Sequence, residues 1–112
     1  MTGQQPTGDP RRFLDGGRLR RSPRRWRDKQ AVTRYLATLA LPRLLEPLTE
    51  RELTERLADL ADDPVGLRRA MVDHGLVSRT RDGAEYWRTE RTEHDEPVDA
   101  AAAAQRVLGE RS

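Results

Sequence analysis

Arginine dominates the chemistry this chain can do: every one of its 21 basic residues except Lys29 is Arg. A guanidinium stays charged at all physiological pH and presents a planar fork of N–H donors, the geometry that suits phosphate oxygens and the major-groove edge of guanine. Ten of the twenty arginines form three candidate groups. Arg18, Arg20, Arg21, Arg24 and Arg25 crowd together near the N terminus, Arg68 and Arg69 are adjacent, and Arg79, Arg81 and Arg88 follow. The formal net charge of +2 hides this distribution, because residues 1–34 carry +7, residues 35–88 carry −2 and residues 89–112 carry −3. A basic front of this kind favours a polyanionic partner, nucleic acid or an anionic membrane surface. The competing reading is equally open at this point: the arm is a solvated tail, and Arg68 and Arg69 pair with Asp62, Asp63 or Asp73 and only stabilise the domain.

Other chemistry finds little support. The chain has no cysteine, which excludes disulfides, thiolate zinc sites and a cysteine nucleophile, and which fits the cytoplasm. The two histidines, His74 at a helix end and His94 in an acidic stretch, are too few and too far apart for a metal site. His74 is expected to be partly buried, with its charged form favoured by the helix dipole. The many carboxylates fall on solvated helical faces rather than in a cleft that would shift their pKa values. No catalytic residue, metal or cofactor is therefore expected, and the chain reads as a non-enzyme. Trp26, Tyr86 and Trp87 could stack on unpaired bases, although core packing accounts for Tyr86 or Trp87 more economically. No apolar run approaches a membrane span, and the first ten residues lack the apolar centre of a secretion signal, so neither export by that route nor embedding is expected.

The elements that must position these arginines are legible in the pattern. Residues 1–12 read as a disordered arm, 13–88 as one folded domain, and 89–112 as an acidic tail, disordered or briefly helical. Phe13 to Leu19 places apolar ends around a Gly-rich turn, either a small hairpin or an extended arm. Ser22-Pro23 or Asp28 starts a first helix whose face carries Val32, Tyr35, Leu36 and Leu39, and Pro42 stops it by Leu41. Residues 42–48 form a connector. Thr49-Glu50-Arg51-Glu52 is a capping box opening a second helix, with Leu53, Leu57 and Leu60 inward and an acidic exterior. Asp63-Pro64 opens a third, with Leu67, Ala70, Met71 and His74 on one side and Gly75 ending it. At 100° per residue from Leu67, Arg68 falls at about 100° and Arg69 at about 200°, so both should point outward. Two strand-like runs, 76–81 and 85–88, flank Asp82-Gly83, a tight hairpin-turn signal. Three helices followed by a hairpin is the order of a winged helix, an α+β, mostly helical fold.

Phe13-Leu14 with Gly17-Arg18-Leu19, Ala31-Val32 with Tyr35-Leu36-Ala37, the capping box, Asp63 with Leu67-Arg68-Arg69 and Val72-Asp73, and Gly75-Leu76-Val77 with Arg79, Asp82-Gly83 and Tyr86-Trp87 together resemble the bacterial domain of unknown function 2087 family. Leu48 stands where the resemblance leads one to expect an aromatic residue, and Thr54 where it leads one to expect Asn. The resemblance implies a winged-helix-like domain found alone or attached behind a DNA-binding regulator of the arsenical-repressor type. Two functions follow as expectations. One is duplex DNA binding in transcriptional regulation, through the arm, Arg68 and Arg69 of the third helix, and Arg79, Arg81 and Arg88 of the wing. The other is a protein-interaction or effector module that docks on a regulator protein or forms a homodimer.

Overall fold

Capping devices written in the sequence fix where the second and third helices begin. A computed structural model describes residues 9–95. After a short 3-10 turn, Pro10–Phe13, come α1 (Trp26–Ala40), β1 (Leu48–Thr49), α2 (Glu50–Ala58), α3 (Pro64–Asp73), β2 (Val77–Arg79) and β3 (Glu85–Arg88). The box at α2 is reciprocal: the Glu52 amide donates to Thr49 Oγ1 at 3.0 Å, and the Thr49 amide donates to Glu52 Oε1 at 2.8 Å. Asp63 Oδ1 accepts from the Gly66 amide at 3.0 Å and caps α3. At its other end the Gly75 amide donates to Val72 O and the Leu76 amide to Met71 O. That pair of bonds requires a left-handed residue between them, supplied by Gly75 at φ +75°.

The sheet is antiparallel with strand order β1-β3-β2. With the helix order above, this is a small winged-helix-like α+β domain. Leu48 pairs with Tyr86 and Thr49 with Glu85, so part of the expected connector is a third strand. A two-residue strand is too short to show alternation, which is why the sequence pattern does not display it. The hairpin also differs from the expected tight turn. The Thr80 amide donates to Glu85 O and the Gly83 amide to Thr80 O, so residues 81–84 form a four-residue tip with Gly83 left-handed at φ +73°. Thr80 Oγ1 organises it, accepting from the Ala84 and Glu85 amides and donating to Asp82 Oδ1 at 2.7 Å.

The core lies between the three helices and one face of the sheet: Val32, Leu36 and Ala37 of α1, Leu53 and Leu57 of α2, Leu67 and Met71 of α3, with Leu48, Leu76, Val77 and Tyr86. Leu39, expected on the buried face of α1, is 48% exposed, because the buried stripe instead follows Val32, Thr33, Leu36, Ala37 and Ala40. Tyr86 is buried and Trp87 only half so, as strand alternation requires.

Packing runs past both expected edges of the domain. Pro10 is buried, and Gly16 and Gly17, both at positive φ, close a minimal hairpin in which Asp15 and Arg18 exchange two backbone hydrogen bonds. Leu19 then forms a parallel bridge with Ala61, tying the arm to the loop before α3. At the other end Arg88 is the largest fully buried side chain. It was expected on the wing surface as a phosphate contact and is withdrawn from that role. Its Nε donates to Leu41 O, Nη1 to Glu90 O and Asp95 Oδ2, and Nη2 to Pro42 O and Asp95 Oδ1. All five donors of this guanidinium are satisfied internally, so it holds residues 89–95 against the end of α1.

Candidate nucleic-acid interface

Because β3 lies between β1 and β2, the wing hairpin stands beside the outer face of α3, and the two enclose a polar cleft of about 350 Å3. Three arginines, Arg68, Arg69 and Arg79, share it with three carboxylates, Glu50, Asp73 and Asp82. The Thr80 hydroxyl and then the Ala84 amide lower the Asp82 pKa from its ordinary value, so it is an anion at any physiological pH. The cleft is therefore charge-balanced rather than basic.

Its arginines are not equivalent. Arg68 does not point freely outward: its side chain is 14% exposed, Nη1 donates to Thr54 Oγ1 at 2.7 Å and lies 3.8 Å from Glu50, and the guanidinium sits 5.4 Å from the Tyr86 ring centre. The position at about 100° from Leu67 is the flank of the helix, where the guanidinium reaches α2 and the sheet. The pairing reading is thus right for Arg68 in kind, with α2 rather than Asp62, Asp63 or Asp73 as the partner. An Asn in place of Thr54 would also offer an oxygen to accept from it. Arg69, Arg79 and Arg81 are exposed and make no ion pair among the described residues.

The arm divides similarly. Arg18 donates to Asp62 at 2.6 Å, to Ala58 O at 2.7 Å and to Ala61 O at 3.3 Å, so it caps the C-terminal carbonyls of α2. Arg20 lies 3.1 Å from Asp15 and 3.8 Å from Asp62. Arg21, Arg24 and Arg25 are exposed without an ion pair among the described residues, and so is Arg27 at the end of the arm. Trp26, 63% exposed, stacks on His74 with ring centres 4.5 Å apart at 18°. This stack places residues 24–27 at the C-terminal end of α3, next to Asp73. The imidazole does not gain charge from the helix dipole as expected. Burial pushes the His74 pKa below its ordinary value, Lys29 acts in the same direction, and Asp73 only partly opposes them.

Comparison with known proteins adds one match. The model of the domain of unknown function 2087 family, described as an uncharacterized protein conserved in bacteria, matches residues 18–88. The chain belongs to this family. No curated protein and no solved structure matches it. The matched span covers α1 to the end of β3 and therefore includes both sets of uncommitted arginines, while stopping short of Asp95. No helix among the described residues is long and apolar enough to cross a membrane, and among them no three His, Cys, Asp or Glu side chains form a group that could hold a metal ion.

Proposed function

We propose that this domain binds duplex DNA as a non-enzymatic, cytoplasmic regulator of transcription. The observation that carries the reading is the separation, by the α3 C terminus, of two sets of exposed arginines without an ion pair among the described residues: Arg69, Arg79 and Arg81 on α3 and the wing, and Arg21, Arg24 and Arg25 on the arm. In a winged helix, α3 enters the major groove while wing and arm meet flanking phosphates or the minor groove. Arg69 is then the sole cation on α3 free to reach a base edge, with Arg68 held back to brace α3 against Thr54 and Tyr86. Affinity rests on phosphates more than on base edges, and sequence discrimination is weak. The association with arsenical-repressor-type regulators that the resemblance implies supports the same reading. Fluorescence anisotropy with a labelled duplex tests it. Changing Arg69, Arg79 and Arg81 together to Gln is expected to weaken binding at least about tenfold, one factor of ten corresponding to about 1.4 kcal/mol, while Arg51→Gln on α2 leaves it unchanged. Equal effects of the two changes would remove the assigned docking face.

A second reading, an interaction module docking on a regulator protein or on itself, draws on a different surface. Leu45 is 66% exposed and held at φ +64°, and Leu39, at the end of α1, is also exposed. Sedimentation velocity separates the readings: a self-associating chain that Leu45→Ser returns to monomer favours this one, and a monomer at all concentrations disfavours its homodimer form.

A further inference from the structure

We propose that the cleft between the arm, α1 and the first half of α3 is a binding site for a small amphipathic carboxylate. The cavity is about 370 Å3, within the range of small-ligand pockets. Its apolar wall is supplied from four separate segments: Leu19 of the arm, Val32 of α1, Ala61 of the loop, and Leu67 and Ala70 of α3. Small side chains make the room, and a Cβ on Gly66 would lie 2.2 Å from Asp63 Oδ2, so enlarging it would displace the Asp63 carboxylate whose other oxygen caps α3.

The rim is cationic. Arg20, Arg21 and Lys29 face the cleft, and the one carboxylate among its lining residues, Asp63, is already engaged by the Gly66 amide. Arg20 has Asp15 and Asp62 as partners. Lys29 is half-buried and, like the exposed Arg21, makes no ion pair among the described residues. A half-withdrawn ammonium with no ion pair among the described residues gains from an anion at the rim, and the wall behind it accepts an apolar body. Those two demands together describe a short-chain or aryl carboxylate. A bare inorganic anion would leave the wall unfilled, and a neutral or cationic amphiphile would leave the rim unpaired or repelled. The apolar wall lies on a different side of α3 from the cleft beside the wing, and only Arg21 is shared with the arm proposed to meet DNA, so the site is tested on the chain free of DNA.

Hexanoate is the probe, followed by amide chemical shifts of the free domain, with hexan-1-ol, hexylammonium and inorganic phosphate as comparisons. Saturable shifts confined to residues around Ala61, Gly66 and Ala70, with a dissociation constant on the order of 1 mM for a ligand of about eight heavy atoms, are expected for hexanoate alone. Combined Arg21→Gln and Lys29→Gln should weaken hexanoate at least about tenfold, as loss of a charge-assisted contact does, and Ala70→Leu should abolish it by filling the cavity. The amide spectrum of each variant reports its fold directly. Absence of saturable shifts, shifts centred elsewhere, or equal binding of hexan-1-ol and hexylammonium would each overturn the proposal.

Discussion

Replacing Asp95 by Asn keeps the shape of the side chain and removes only its charge, yet it should cost this domain a large part of its stability. Arg88 is wholly buried and Asp95 nearly so, and the carboxylate takes two of the five guanidinium donors, at 2.9 and 2.5 Å. The amide variant keeps one acceptor oxygen but turns an NH2 group toward either the guanidinium or the Thr92 amide that now donates to Asp95 Oδ2, and it leaves the buried cation without a counter-charge beside the carbonyls of Leu41, Pro42 and Glu90. Breaking a buried pair in this way costs about 3–5 kcal/mol, and the remaining carbonyls place Asp95→Asn near the low end, about 3 kcal/mol. Each kcal/mol lowers the Tm of a domain this size by about 4–8 °C, so a drop of roughly 12–24 °C is expected. Urea denaturation followed by tryptophan fluorescence gives the free energy. The pH dependence supplies a second check. The Arg88 hydrogen bonds hold the Asp95 carboxyl at about 2, below its unfolded value. Its stabilisation is therefore full above the ordinary carboxylate pKa of about 3.9 and fades as pH falls toward 2. Wild type and variant should converge in acid. A loss below about 1 kcal/mol at pH 7, or an offset unchanged by acid, would refute the assignment of Arg88 and Asp95 as the clasp of the C-terminal segment.

His74 offers a test in the opposite part of the pH range. Its folded pKa lies below the ordinary value, so the unfolded chain takes up the proton more readily, and stability should fall as pH drops through about 6.5. His74→Phe should flatten that slope in urea midpoints between pH 7.5 and 5.5, and an unchanged slope would assign it to other groups. Asp63→Ala removes the cap on the first turn of α3 and is expected to cost about 1 kcal/mol, measured the same way, with Asp63→Ser recovering most of it.

The starts of α2 and α3 were the most legible features of the sequence, because a capping box or an Asp-Pro step acts locally through one or two hydrogen bonds that spacing alone reveals. By contrast α1, expected to start at Ser22-Pro23 or Asp28, begins at Trp26 behind Arg25 with no side-chain cap to announce it. The third strand was not legible, since Leu48 and Thr49 become a strand only by meeting Tyr86 and Glu85 far along the chain. The arginines show the same division. Their existence and clustering are visible in the sequence, but whether each is free depends on partners distant in the chain. Arg18 is fixed by Asp62 and the end of α2, Arg68 by Thr54, and Arg88 by Asp95 and the end of α1. Of these, only Arg68 carried a local signal, its position on the flank of α3 rather than at its crest. The candidate interface is therefore smaller than the arginine count suggests, and it sits beside the acidic side chains of α2 and the wing.

The salt dependence of duplex binding tests the central claim most directly. With Arg21, Arg24, Arg25, Arg69, Arg79 and Arg81 as the cations assigned to DNA, about five or six phosphate contacts should give log affinity against log salt a slope of roughly −4.5 to −5.5. Changing Arg69, Arg79 and Arg81 to Gln should bring it to about half that value. An affinity for duplex DNA that is absent at low salt, or that does not change with salt, would contradict the account.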